Sequence, residues 1–185
     1  VKLDAFCLVT GSTGKLLEAR RLAGTELSSI ALDLPEIQSL DPLEVLRNKL
    51  RAAQAVVFGP VIVEESALEV TSWNGFPGPL VKWMLQALGA EGLARLALSS
   101  GCSQATARCL LLASDGQREW LGTGEVSGSL VLPARGSGGF GWDSVFVPEG
   151  ETRTFGELPA SLKDELGHRG KAWRALLAAL RSDLA

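Results

Sequence analysis

The stretch Gly136 to Lys171 opens with Gly136-Ser-Gly-Gly-Phe-Gly-Trp-Asp143 and closes with Lys163-Asp-Glu-Leu-Gly-His-Arg-Gly-Lys171. Between its ends, Val145 to Val147 reads as a short apolar strand followed by a Pro/Gly turn. Glycines free the backbone, two aromatics offer π-faces, and Lys163, His168, Arg169 and Lys171 cluster their positive charge. That combination suits a flat heterocycle carrying phosphates. The residues alone leave two readings open: a nucleobase pocket, or a Gly-rich loop ahead of an ordinary basic helix.

On either side of this stretch the pattern is that of a sheet covered by helices. Lys171 to Leu184 repeats apolar residues at Trp173, Leu176, Leu177 and Leu180, the spacing of a helix packed on a sheet. Upstream, Ala105 to Ala113 and Arg118 to Gly124 flank Asp115-Gly116, a hairpin signal, and Val126 to Leu132 reads as a further strand. Leu80 to Ser99 reads as two apolar helices joined near Gly89 to Gly92, fitting core packing first and a subunit interface second.

The N-terminal half alternates in the same way. Leu3 to Val9 reads as a buried strand, Thr10 to Gly14 as a tight loop and Lys15 to Ala23 as a helix, an order that places backbone N–H groups where an anion can bind. The loop Gly11-Ser-Thr-Gly14-Lys15 is not a Walker A motif, because Val9 stands where the first glycine belongs and Leu16 follows the lysine. Ser29 to Leu34 is a second strand. Asp41, Pro42 and Glu44 then supply an N-cap, a first-turn proline and a capping acid for a helix reaching about Val57, with Arg47, Lys49 and Arg51 among its apolar positions. Val61 to Leu68 is a strand carrying the adjacent carboxylates Glu64 and Glu65, which together with Glu36 could hold Mg²⁺. Strands separated by helices, with a late hairpin, predict an α/β fold with a mixed sheet.

Composition narrows the function. The 185 residues are 46% apolar and 21% charged, enough to bury a substantial core, and residues 1–185 are read as a single domain. A net charge of −3 without a long Lys/Arg run argues against nucleic acid, but leaves a small anion as ligand. Cys7, Cys102 and Cys109 form no Cys-x-x-Cys pair and have one histidine to join them, so neither zinc nor a disulfide framework is expected. The start, Val1 to Val9, is too short and too charged for a membrane span or signal peptide, and a cytoplasmic location is expected.

Six stretches in order give the chain a family likeness: Thr10-Gly-Ser-Thr-Gly-Lys15, Leu34-Pro-Glu-Ile-Gln38, Val63-Glu-Glu-Ser-Ala-Leu68, Gly75-Phe-Pro-Gly-Pro79, Phe140-Gly-Trp-Asp143 and Gly167-His-Arg-Gly-Lys171. Through them, and over nearly its whole length, the chain resembles the inosine triphosphate pyrophosphatases. The resemblance implies an elongated mixed central sheet flanked by helices, two lobes around a long substrate cleft, and a homodimer. It implies Mg²⁺-dependent hydrolysis of inosine, deoxyinosine or xanthosine triphosphate to the monophosphate and pyrophosphate. By the same resemblance Thr10, Ser12, Lys15, Lys49 and Lys82 face the phosphates and Lys49 belongs to the catalytic set. Glu36 and Glu65 handle metal and water. Phe140, Trp142, Asp143, Lys163, His168 and Arg169 surround the nucleoside.

The chemistry is coherent with these residues. Phosphoryl transfer rests on positioning, a divalent ion and cationic clamps, with a carboxylate to activate water. Arg169 can donate to a 6-oxo purine but leaves the amino group of adenine unpaired. The chain also departs from the family pattern, which commonly has Asn at Ser12, Asp at Glu65, Pro at Ser144, Asn at Asp164 and Ser at Gly167. Asp164 is expected to weaken the attraction of Lys163 for an anion. The departures leave room for a paralogue that binds nucleotides but turns over weakly or for a shifted base preference, and spacing alone leaves open a pyrophosphatase of modified pyrimidine nucleotides with a related fold.

Overall fold

The computed structural model describes residues 2–183. Strands β1 (Cys7–Val9) and β2 (Ser28–Ile30) pair in parallel, and β1 pairs in parallel with β3 (Val61–Val70). From β3 onward the sheet is antiparallel, through β5 (Gln104–Ser114), β6 (Glu119–Leu130) and β7 (Phe146–Pro148), with the two-residue β4 (Pro77–Gly78) also on β3. The order β2-β1-β3-β5-β6-β7 makes one mixed sheet. Helices α1 (Thr13–Ala23), α2 (Pro42–Gln54), α3 (Val81–Ser99), α4 (Ala160–Leu166) and α5 (His168–Ser182) flank it. This is the α/β architecture expected from the alternation of elements.

Period-2 side-chain alternation distributes three cores. Val61 and Val63 of β3 pack with Leu110 and Leu112 of β5 and with Leu46, Leu50 and Ala53 of α2. Ile62, with Leu111 and Ala113, points to the opposite face, against Ala19 of α1 and Trp173, Leu176 and Leu180 of α5. Further along the same strands, Leu68, Val70, Ala105, Ala107, Val126 and Leu130 enclose a third core with Leu93, Ala94 and Ala97 of α3 and with Phe146 and Phe155. Strands β3, β5 and β6 therefore run out of one lobe and into the other.

Several boundaries differ from expectation for local reasons. Leu3–Ala5 is a 3-10 turn, closed by Phe6 N–H on Leu3 O at 3.1 Å, and only Cys7–Val9 joins the ladder. The second strand stops at Ile30 because Leu32 and Leu34 turn to pack against the α2 core. The runs Arg118–Gly124 and Val126–Leu132 form one strand, β6, since β5 offers a partner to every residue from Glu119 to Ser129. The last helix begins at His168 rather than Lys171, because Lys171 N–H already bonds Gly167 O at 3.0 Å. Leu184, the predicted end of that helix, lies outside the described residues.

Two expected devices are present. Asp41 Oδ1 accepts the Leu43 N–H at 2.9 Å and caps α2, with Pro42 at the first helical position. Gly89, at φ 68° and ψ 175°, breaks α3 in two. On β6, a side chain at Gly124 would put Cβ 2.2 Å from His168 O and 2.5 Å from Ala172 N. Its absence lets the start of α5 lie directly on the sheet.

Candidate active site

Alternation along β3 builds the two halves of the site. Val63 and Glu65 face α2, whereas Ile62 and Glu64 face α1 and α5. Two adjacent buried glutamates thus serve opposite sides of the sheet. Both line a cavity of about 550 Å³, bordered by the Thr10–Ser12 loop, Glu36, Lys49, Lys82, Phe140 and Trp142 among others. That is the size of a pocket for a drug-sized or nucleotide-sized ligand.

On the α2 side, the Lys49 ammonium lies 2.9 Å from Glu36 Oε1 and 2.6 Å from Glu65 Oε2. The second contact is an ion pair without hydrogen-bond alignment. Lys82 reaches the other Glu36 oxygen at 3.2 Å. Burial pushes the Glu65 carboxyl above the usual carboxylate range despite Lys49, which it shares with Glu36. For Lys49 burial works against the charge, but Glu65 and Glu36 outweigh it and hold the ammonium protonated. Two carboxylates converging on one cation are a donor set for a hard divalent ion, which takes one or two carboxylates and completes its shell with water and substrate phosphates. Among the described residues the acids of the cleft do not form a cluster of three His, Cys, Asp or Glu, so such an ion would depend on those outside oxygens.

On the α1 and α5 side, Arg169 is buried and almost fully subscribed. Its Nε and Nη2 donate to Glu64 at 3.0–3.2 Å, Nη2 also donates to Ser66 Oγ at 3.2 Å, and Nη1 donates to Glu18. One of the five guanidinium N–H groups has no partner among the described residues. Lys15 Nζ sits 3.1 Å from Glu64 Oε1. Burial alone would raise the Glu64 carboxyl, but Arg169 and Lys15 bring it far below its ordinary value. Lys163 donates to Glu18 and Asp143 at 2.6 Å each. Asp143 also accepts the Phe140 N–H at 2.7 Å, a contact that needs Gly139, whose φ of 72° favours glycine and whose Cβ would strike Asp143.

The aromatics close this half. Phe140 lies under two cations, Lys163 Nζ at 5.0 Å and the Arg169 guanidinium at 5.1 Å from its centroid. Trp142 stacks on His168 at 6.0 Å and 28°. His168 Nδ1 and Trp142 Nε1 are both buried without a hydrogen-bond partner at the cavity. Burial, reinforced by the Arg169 and Lys163 charges, holds His168 well below its ordinary pKa, so its ring is neutral.

Of the candidates from sequence, Thr10, Ser12, Lys15, Glu36, Lys49, Glu65, Lys82, Phe140, Trp142, Asp143, His168 and Arg169 all border the one cavity. Lys163 does not; it lies behind the wall, holding Asp143. Asp164, expected to weaken Lys163, instead pairs with Arg21 at 2.8 and 3.1 Å, and the carboxylates on Lys163 are Glu18 and Asp143. Ser12 Oγ caps α1 by accepting the Lys15 N–H at 3.3 Å. At Gly167 an added Cβ would meet Lys163 O at 2.4 Å, so this backbone excludes a side chain there. Glu18 and Ser66 carry contacts that sequence reading missed. Glu18 does sit one helical turn from Lys15, but its buried contacts come from Lys163 of α4 and Arg169 of α5, far along the chain.

The sheet, the loop at a helix start and the charged, aromatic-walled cleft define an α/β protein with a pocket whose chemistry suits a phosphorylated aromatic ligand. The Ham1 family model matches residues 6–179. An inosine triphosphate pyrophosphatase of Puccinia graminis f. sp. tritici is 39% identical over 175 residues, covering 89% of this chain and 90% of that protein. One of Schizosaccharomyces pombe is 36% identical over 185 residues, covering 98% of this chain and 97% of that protein. The solved structure of a HAM1 protein from Coxiella burnetii superposes with a TM-score of 0.80 at 22% identity, over 96% of this chain and 98% of that one. The chain belongs to the Ham1 family.

Proposed function

We propose that this protein hydrolyses inosine, deoxyinosine and xanthosine triphosphates to the monophosphate and pyrophosphate, removing them from the nucleotide pool. The observation that carries the reading is that the Glu36–Lys49–Glu65 group and the Trp142–His168 stack border one cleft. The names of the fungal relatives support the substrate class. Glu65 takes a proton from the water that attacks the α-phosphorus and breaks the bond between the α- and β-phosphates. Lys15, Lys82 and the Thr10–Ser12 loop receive the negative charge that collects on the leaving pyrophosphate. A divalent ion, Mg²⁺, is assigned to Glu36 and Glu65, where it would neutralise phosphate charge.

The base lies by Trp142 and Phe140. The last free Arg169 N–H and the Trp142 Nε1–H meet ring acceptors, a set that favours an oxo group over an amino group. Lys163 and Asp143 hold Phe140 in place. A homodimer is assigned as well, with Trp83 and Leu88 of α3, about half exposed, on its interface. The test is monophosphate and pyrophosphate release from the triphosphates of deoxyinosine, xanthosine, deoxyuridine, guanosine and adenosine, with Mg²⁺ and with chelator. Metal-dependent release favouring the deoxyinosine and xanthosine triphosphates over the adenosine triphosphate is expected. Preference for deoxyuridine triphosphate would replace the base assignment, and no release from any of them would reject hydrolysis.

A further inference from the structure

The Lys49 ammonium sits where the metal of the proposed reaction belongs. Its two carboxylate contacts, at 2.9 and 2.6 Å, use the oxygens of Glu36 and Glu65 that a divalent ion would need, and Lys82 occupies the remaining Glu36 oxygen at 3.2 Å. Lys49 is not a passing surface charge, since its side chain is 12% exposed. It rises from a helix anchored by Leu46, Leu50 and Ala53, so its backbone cannot withdraw, but its four-carbon stem can swing. Within the same cavity the Thr10–Ser12 loop and Lys15 mark where phosphates would lie. An ion entering the free protein must therefore face an ammonium at contact distance, with both carboxylates already neutralised. An ion arriving with a triphosphate brings the anion that the ammonium can move to.

We propose that Lys49 is a tethered counter-ion that keeps the Glu36–Glu65 site closed to free metal and opens it by transferring its charge to the phosphates of an incoming nucleotide. Metal would then enter as the metal–nucleotide complex, and the free protein would be protected from idle loading by other divalent ions. The inference rests on Glu36 and Glu65 being metal ligands, and that premise has its own control below.

The experiment is calorimetric titration of Mn²⁺ into nucleotide-free protein, with electron paramagnetic resonance reading the free ion. The wild type is expected to bind weakly, Lys49→Met on the order of tenfold more tightly or better, and Lys49→Arg, which keeps the charge, as weakly as the wild type. Equal or weaker Mn²⁺ binding by Lys49→Met overturns the proposal. The premise is tested by Glu65→Gln placed on Lys49→Met: loss of the gained Mn²⁺ affinity supports it, and unchanged affinity puts the metal elsewhere and overturns premise and proposal together. Wild-type thermal stability supplies a measurement that needs no variant. Mg²⁺ alone should leave the melting temperature unchanged, whereas Mg²⁺ with a non-hydrolysable inosine triphosphate analogue should raise it above the analogue alone. A rise with Mg²⁺ alone equal to that with both would overturn the closed state.

Discussion

At the scale of single residues, the types in the site were legible and their partners were not. Lys15, Glu65, His168 and Arg169 stand out in the sequence as chemistry-bearing, but nothing in it places Glu18 beneath Lys163 and Arg169, because that contact spans 145 and 151 residues. Glu65→Gln keeps the shape of the side chain and removes the base, so turnover should fall by about 100- to 10,000-fold while the analogue still binds; full turnover would reassign the base. Arg169→Ala would leave the buried Glu18 to Lys163 and Glu64 to Lys15, each short of one cation, and should cost up to about 3 kcal/mol of stability by denaturant titration, in addition to any loss of base discrimination. His168 is the single histidine of the chain and is buried neutral. Its folded pKa lies below the unfolded one, so the unfolded chain binds the extra proton. Its contribution is whole above the unfolded value near 6.5 and is lost as pH falls toward the folded value, with a slope of at most about 1.4 kcal/mol per pH unit. Melting curves from pH 7 to 5 should show that slope in the wild type and a shallower one in His168→Gln.

At the scale of elements, what local chemistry dictates could be read and what tertiary packing dictates could not. The Asp41 cap, the Gly89 break and the Asp115-Gly116 hairpin follow from residues within a few positions of one another. The length of β6 does not, because Gly124 looks like an interruption until β5 pairs through it and α5 rests upon it. Nor does the early start of α5, which depends on Gly167 closing α4 against Lys163 O at 2.8 Å. Gly124→Ala should push His168 and Ala172 off the sheet and destabilise by about 1–3 kcal/mol. Because His168 and Arg169 open that helix, analogue affinity should fall as well; an unchanged melting temperature and dissociation constant would show that α5 can yield without loss.

At the scale of the whole molecule, the α/β class with a mixed sheet was legible from alternating elements and the resemblance, while the sharing of strands between cores emerges only in three dimensions. Light scattering should report twice the 19.5 kDa chain mass, and Trp83→Asp should shift the population toward a single chain if α3 carries the interface. A dimer that survives this change would place the contact on another surface. The continuity of the central strands has one more consequence. Strand β3 lines the cleft through Val63 to Ser66, and β3, β5 and β6, of 10, 11 and 12 residues, run on together from one core to the next. A joint made of three paired strands resists a clamshell swing, which needs a few free backbone dihedrals at a hinge. Amide exchange should therefore be slower in these strands than in the loops at the rim of the cleft, and equal rates in both would show that the joint opens as readily as the loops.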